Sequence, residues 1–187
     1  YPYGFFVAKS FRDRDFGIGV LSKYPIVDSK SGTPENSRWV SVSLDIEGKI
    51  IQVNAVHPNP HNTPIERRDL FTEILNTKKE PCILAGDFNA LSPQDSIDKD
   101  KLIQSFSEKF QNEEKVKKIT DELFKTETVD LVLKHNLKDT YKEKNNESDF
   151  TYHTKLSGSN YMRLDYIFCS QDFTVVDSGI IKDELVH

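Results

Sequence analysis

Apolar and polar residues alternate along Val40-Ser41-Val42-Ser43-Leu44-Asp45-Ile46, the two-residue period of a strand with one buried face. A short turn, Glu47-Gly48, leads into a run rich in Ile and Val from Lys49 to Val56, so residues 39–56 read as an antiparallel hairpin. Two earlier runs, 5–9 and 17–22, read as strands on either side of the charged turn Arg12-Asp13-Arg14-Asp15. Pro25 keeps the chain extended where the second of these closes. Gly17-Ile18-Gly19 is not a dinucleotide loop, because the third glycine is absent and no helix pattern follows.

The pattern then changes period. Thr63-Pro64-Ile65-Glu66 is a helix start with Thr as cap, Pro in the first turn and Glu at the third position. Leu70, Phe71, Ile74 and Leu75 form its buried face, Arg67 and Arg68 read as solvated, and the helix ends near Asn76. Pro81 opens an apolar run, Cys82 to Ala85, which ends in Gly86-Asp87-Phe88-Asn89 and breaks at Leu91-Ser92-Pro93. The order is therefore strand, helix, strand, with the helix crossing over. Ser92-Pro93 is expected to cap a further helix. Residues 97–135 are charge-rich, with Leu102, Phe106 and Phe110 at four-residue spacing, then Ile119, Leu123 and the patch Val129 to Leu133. These predict two or three amphipathic helices outside the sheet. Leu137 to Tyr141 starts a polar loop, Phe150-Thr151-Tyr152-His153 is a short strand and Leu156 to Asn160 a turn. Met162 to Cys169 is an apolar strand interrupted by Arg163 and Asp165, which the strand period places on one face, and Phe173 to Val176 is a last strand.

Composition narrows this to one globular domain. The chain has 187 residues, 36% apolar and 11% aromatic, and no apolar run approaches a membrane span. Its net charge of -5 supplies no overall cationic field for nucleic acid, and the mixed charges of Glu113 to Lys118 read as a solvated face. Cys82 and Cys169 lie in apolar runs and are expected to be buried thiols. The first residues show no secretion-like signal, so a cytoplasmic location is expected.

Chemistry collects at the predicted strand ends. Asp87 and Asn89 sit two apart, so an extended backbone would point both to one side. An acid beside an amide suits a hard metal cation, a phosphate oxygen or an attacking water; an Asx turn is the alternative reading of the same residues. His57 and His61 have the spacing of helical zinc ligands, but Pro58 and Pro60 forbid that helix. His57, at a strand end, is the functional candidate, and His61 reads as an exposed loop residue. Arg163 and Asp165 need partners within an apolar strand, and a structural Arg–Asp pair is one reading of them. A histidine, carboxylates and a carboxamide with no nucleophilic Ser or Cys motif point to water as the nucleophile, with a hard metal to neutralise a developing oxyanion.

Several segments resemble, in order, the endonuclease/exonuclease/phosphatase superfamily, which includes deoxyribonuclease-like enzymes, apurinic endonucleases, sphingomyelinases and inositol polyphosphate phosphatases. They are Gly19-Val20-Leu21-Ser22-Lys23-Tyr24-Pro25-Ile26, Val53 to His57, Gly86-Asp87-Phe88-Asn89, Leu137 to Tyr141 with Phe150-Thr151-Tyr152, and Arg163 to Phe168. Arg68 falls where the family's helix usually carries an arginine. The resemblance implies an α/β (α+β) fold, a two-sheet β-sandwich with helices on the outer faces. It implies a Mg2+- or Mn2+-dependent phosphoester hydrolase, with nucleic acid, a lipid or a small phosphoester as substrate. By position, His57 would contact the scissile phosphate, Asp87 would position or deprotonate water, Asn89 would hold the phosphate or that water, and Asp165 would orient a catalytic histidine. Asp87 and Asn89 would also face the metal.

The family's N-terminal strands, with an Asn and the principal metal-binding Glu, would lie before Tyr1. The closing Ser-Asp-His is not matched, since Val186 precedes His187. A domain cut short at both ends is expected, inactive unless those ends are supplied. The rival expectation is a non-catalytic binding module on the same fold.

Overall fold

The alternating segment and its partner form the middle of a six-stranded sheet. The computed structural model describes residues 1–11, 14–32, 39–60, 62–151 and 162–181. In it β4 (Trp39–Ile46) and β5 (Lys49–Val56) are antiparallel, with Trp39 opposite Val56 and Ile46 opposite Lys49. Glu47 and Gly48 turn the chain at φ 55° and 82°. Gly48 N–H also donates to Asp45 Oδ1 at 2.8 Å. β3 (Ile26–Ser31) pairs antiparallel with β4, β6 (Cys82–Asp87) runs parallel to β5, and β8 (Asp165–Cys169) lies antiparallel to both β6 and the two-residue β7 (Lys138–Asp139). The strand order is β3-β4-β5-β6-β8-β7. A second, antiparallel sheet of β1 (Tyr3–Phe11) and β2 (Arg14–Ser22) packs over β3, β4 and β5. The expected β-sandwich is therefore present.

Helix α1 (Pro64–Asn76) connects β5 to β6, as a parallel pair requires. Its capping box is formed: Glu66 N–H donates to Thr63 Oγ1 and Thr63 N–H donates to Glu66 Oε2. Leu70, Phe71 and Ile74 pack on the sheet face formed by Trp39, Val56, Leu84 and Phe168, and Val129 and Val132 of α4 (Glu127–Lys134) join the same core. A second core sets Leu102 and Phe106 of α2 (Lys99–Phe110) and Val116 of α3 (Glu113–Leu123) against Leu91 and Leu164. Phe88 sits at 0% exposure, its ring centroid 4.6 Å from Phe71 and 5.0 Å from Tyr166. Phe88→Ala is expected to cost about 3–5 kcal/mol of stability, measured by urea denaturation; a loss below ~1 kcal/mol would show that this ring does not anchor the core.

Several expectations need correction. The β4 alternation predicts one solvated face, yet Ser41 and Ser43 are buried, because this strand is covered on both sides and Ser41 Oγ accepts from Gln52 Nε2. Ser92 does not start a helix: its hydroxyl accepts Gln94 N–H in a turn, and Asp98 caps α2 instead. Phe173 to Val176 forms no strand; Lys138 Nζ donates to the Phe173 carbonyl in place of a ladder. Phe150 and Thr151 are not in a strand, while Tyr152, His153 and the turn Leu156 to Asn160 lie outside the described residues, as do Arg12, Asp13, His61 and His187. Arg67 is buried, not solvated, and donates to the Asn62 carbonyl, whereas Arg68 is exposed beside Asp69. The β4–β5 hairpin, the crossover helix and the buried Cys82 and Cys169 follow the sequence. Among the described residues, no helix is long and apolar enough to cross a membrane.

Candidate active site

Register brings the sequence-selected residues to neighbouring strand ends. Val56 pairs with Gly86 across the parallel β5–β6 edge, which sets His57 beside Asp87. Asp87 is the last residue of β6 and pairs with Asp165, the first of β8. His57 Nε2 stands 3.7 Å from Asp87 Oδ2, with the two side chains 53% and 31% exposed. The pair thus opens to solvent at the rim of the sheet. Asp165 is exposed, and its N–H and that of Leu164 both donate to Thr151 Oγ1 at 3.1 Å.

Asn89 reaches the same place by a different route from the one its spacing predicts. The strand stops at Asp87, and Asn89 takes a left-handed φ of 46°. Its N–H donates to Asp87 Oδ1 at 2.7 Å, so the Asx-turn reading is correct for the backbone. Its Nδ2 donates to the Pro58 carbonyl at 3.0 Å, which ties the Asp87 turn to the loop after His57. Gly86 makes this join feasible. Its φ is +142°, and a Cβ there would lie 1.9 Å from the Val56 carbonyl oxygen.

Burial pushes the Asp87 carboxyl above the ordinary carboxylate range. The Asn89 N–H works against that shift, Asp165 adds to it and His57 opposes it. A carboxylate held nearer neutrality is a better proton acceptor. Among the described residues, no group of three or more His, Cys, Asp or Glu could hold a metal ion. The Asp87 carboxylate and the Asn89 carboxamide are nonetheless hard oxygen donors of the kind a magnesium ion takes while keeping several waters, so they fit part of such a shell.

The Arg163–Asp165 pair, one reading of the sequence, is not found among the described residues. Arg163 precedes β8, so strand parity does not govern it, and a buried guanidinium turns to the carboxylates that can enclose it. Its partners are Asp139 and Asp95. Burial alone would lower its pKa, but the hydrogen bonds it donates to Asp139 and Asp95 more than reverse this and keep it charged. Asp95 carries no motif, whereas Asp139 lies in the Leu137 to Tyr141 segment. For Asp95 the only signal was the need of a buried arginine for a partner. Among the described residues His57–Asp87 is the histidine–carboxylate contact, and Asp165 has no histidine beside it.

Acids, an amide and a histidine thus gather at one end of a two-sheet α/β sandwich. The chain belongs to the Endonuclease/Exonuclease/phosphatase family, whose model matches residues 1–187. Members of this family are hydrolases acting on phosphoester bonds. Solved structures share the fold. An endonuclease/exonuclease/phosphatase family protein from Leptotrichia buccalis C-1013-b is 19% identical with a TM-score of 0.56, over 90% of this chain and 59% of that one. The endonuclease domain of TRAS1, a telomere-specific non-LTR retrotransposon, is 13% identical with a TM-score of 0.58, over 98% of this chain and 75% of that one. A humanized D. rerio TDP2 is 16% identical with a TM-score of 0.55, over 91% and 63%. The chain thus spans about three fifths of the length of the first of these. No curated protein sequence matches.

Proposed function

We propose that the protein containing this chain is a divalent-metal-dependent phosphodiesterase that activates water at the Asp87 corner, with nucleic acid as the leading substrate class. The convergence of His57, Asp87, Asn89 and Asp165 on three neighbouring strand ends carries this reading. Asp87 takes a proton from water as the water oxygen bonds to phosphorus; the ester P–O bond breaks, and the leaving alkoxide takes a proton from solvent to depart as the alcohol. His57, exposed beside Asp87, donates a hydrogen bond to a phosphoryl oxygen. The Asn89 carboxamide, fixed by Pro58, orients the phosphate or the water. Asp165 adds negative charge next to Asp87 and helps hold its carboxyl up. A bound Mg2+ or Mn2+, facing Asp87 and Asn89, would supply charge neutralisation for the phosphorane-like transition state.

The test is hydrolysis by the full-length protein of bis-p-nitrophenyl phosphate, single-stranded and duplex DNA, sphingomyelin and inositol phosphates. Turnover should fall to background with EDTA and return with Mg2+ or Mn2+. His57→Ala should lower it by about 10²-fold. Metal-independent turnover would refute the mechanism; binding of a phosphoester without any turnover would establish the binding-module reading instead.

A further inference from the structure

Arg163 is only 2% exposed, and its guanidinium is shared between two carboxylates, one at the end of β7 and one in the loop after Asn89. Nη1 and Nη2 donate to Asp139 at 2.9 and 2.6 Å, while Nε and Nη2 donate to Asp95 at 3.0 and 3.2 Å. Lys142 Nζ, 3.1 Å from Asp95, balances the second acid. From its place two residues before Asp165, this one cation thereby joins the loop that follows Asn89 to the end of β7. The link continues through neutral groups. The Tyr166 hydroxyl lies between the Ala90 carbonyl (2.9 Å) and the Arg163 carbonyl (2.7 Å), and Phe88 N–H donates to the Leu164 carbonyl at 2.8 Å. Ala90 is next to Asn89, and Leu164 is next to Asp165. Stability alone gives weak reason for such an assembly, because apolar replacements of buried ion pairs are often neutral or better. Its distinguishing feature is that the neutral links end beside the candidate site, on Ala90 and Phe88 next to Asn89 and on Leu164 next to Asp165.

We propose that Arg163 is a positioning residue that fixes where Asp165 stands relative to the Asp87–Asn89 turn, acting through Asp95, Asp139 and the Tyr166 hydroxyl. This rests on the phosphodiesterase reading for its consequence in catalysis, but its structural half can be measured without turnover. Lysine keeps the charge of Arg163 but lacks the planar fork that grips both carboxylates, so Arg163→Lys is the informative variant. Tyr166→Phe is a milder second variant that removes the hydroxyl link alone.

The experiment pairs amide hydrogen exchange with steady-state kinetics on the full-length protein. In Arg163→Lys, exchange at Phe88, Leu164 and Asp165 should quicken by about tenfold while α1 amides from Leu70 to Leu75 are unchanged. Tyr166→Phe should show the same pattern at smaller amplitude. On bis-p-nitrophenyl phosphate, Arg163→Lys should lower kcat by about 10- to 100-fold with KM within about twofold. In an Asp165→Asn background the same change should cost less than about threefold, because the positioned group is already gone. Exchange that rises equally in α1, exchange that stays unchanged at the three site amides, or an equal kcat loss in both backgrounds would overturn the proposal. A wild-type protein without metal-dependent turnover would defeat the phosphodiesterase reading, and the exchange pattern would still decide the positioning.

Discussion

Asp87→Asn is expected to reduce phosphodiester turnover by about 10²–10⁴-fold, the range for loss of a general base, and to leave the fold intact. The asparagine keeps an oxygen able to accept the Asn89 N–H, so the turn should survive. It removes the group that takes the proton of water. The same substitution has a signature in stability. Burial, with help from Asp165, holds the folded carboxyl above its unfolded value. The folded state therefore binds more protons than the unfolded state between those two values, and stability falls as pH rises through them. Above them the charged, partly desolvated Asp87 is a destabilising feature that asparagine lacks. In metal-free protein, Asp87→Asn should thus melt higher than wild type at neutral pH, and the gap should close as pH falls below the ordinary carboxylate range. Thermal melts in EDTA across that interval, run beside the kinetics, check both halves. Wild-type turnover sinks the catalytic role, and a variant that melts lower at neutral pH sinks the account of the buried charge.

How much of this was legible depends on where each residue's partners lie. Helix α1 was readable to its ends because its start is encoded locally, in Thr63, Pro64 and Glu66, and its face in a four-residue repeat. The hairpin of β4 and β5 was readable for the same reason. β3 was not, since most of its side chains are exposed or half-buried and it is a strand only because β4 pairs with it. β7, two residues long, is likewise defined by its partner. Within the site, His57, Asp87 and Asp165 were placed at strand ends by pattern, and register then brought those ends together. The partners of Arg163 were beyond any local rule, because Asp95 lies 68 residues away and Asp139 lies 24 away. Strand parity misled at Arg163 because the ladder begins only at Asp165. Arg67 and Arg68 show the same limit: neighbours in sequence, one is buried against the loop after His57 and the other is solvated, and only the helix's tertiary setting separates them.

Gly86→Ala is expected to be severely destabilising for a single added methyl group. Two independent costs meet at this position. The backbone holds φ at +142°, a conformation that side chains other than glycine rarely adopt. The added carbon would also lie 1.9 Å from the Val56 carbonyl oxygen, 3.0 Å from its carbon and 3.1 Å from its nitrogen. Those atoms are backbone of the neighbouring strand, so no rotamer change relieves the overlap. Either β6 twists out of its strained conformation or the end of β5 moves away. Both displace His57, the residue after Val56, from Asp87, the residue after Gly86. Strain of this kind costs about 1–3 kcal/mol and overpacking about 1–3 kcal/mol more, so a stability loss of about 2–6 kcal/mol is expected. Gly48→Ala is the control: Gly48 also has positive φ, at +82°, but nothing lies within 4 Å of its added carbon. It should carry the conformational cost without the overlap and leave turnover near wild type. Equilibrium urea unfolding of both variants, with kinetics on whatever folds, separates the two contributions. If Gly86→Ala were no more costly than Gly48→Ala, the close approach of β6 to the Val56 carbonyl would not be what holds His57 and Asp87 side by side.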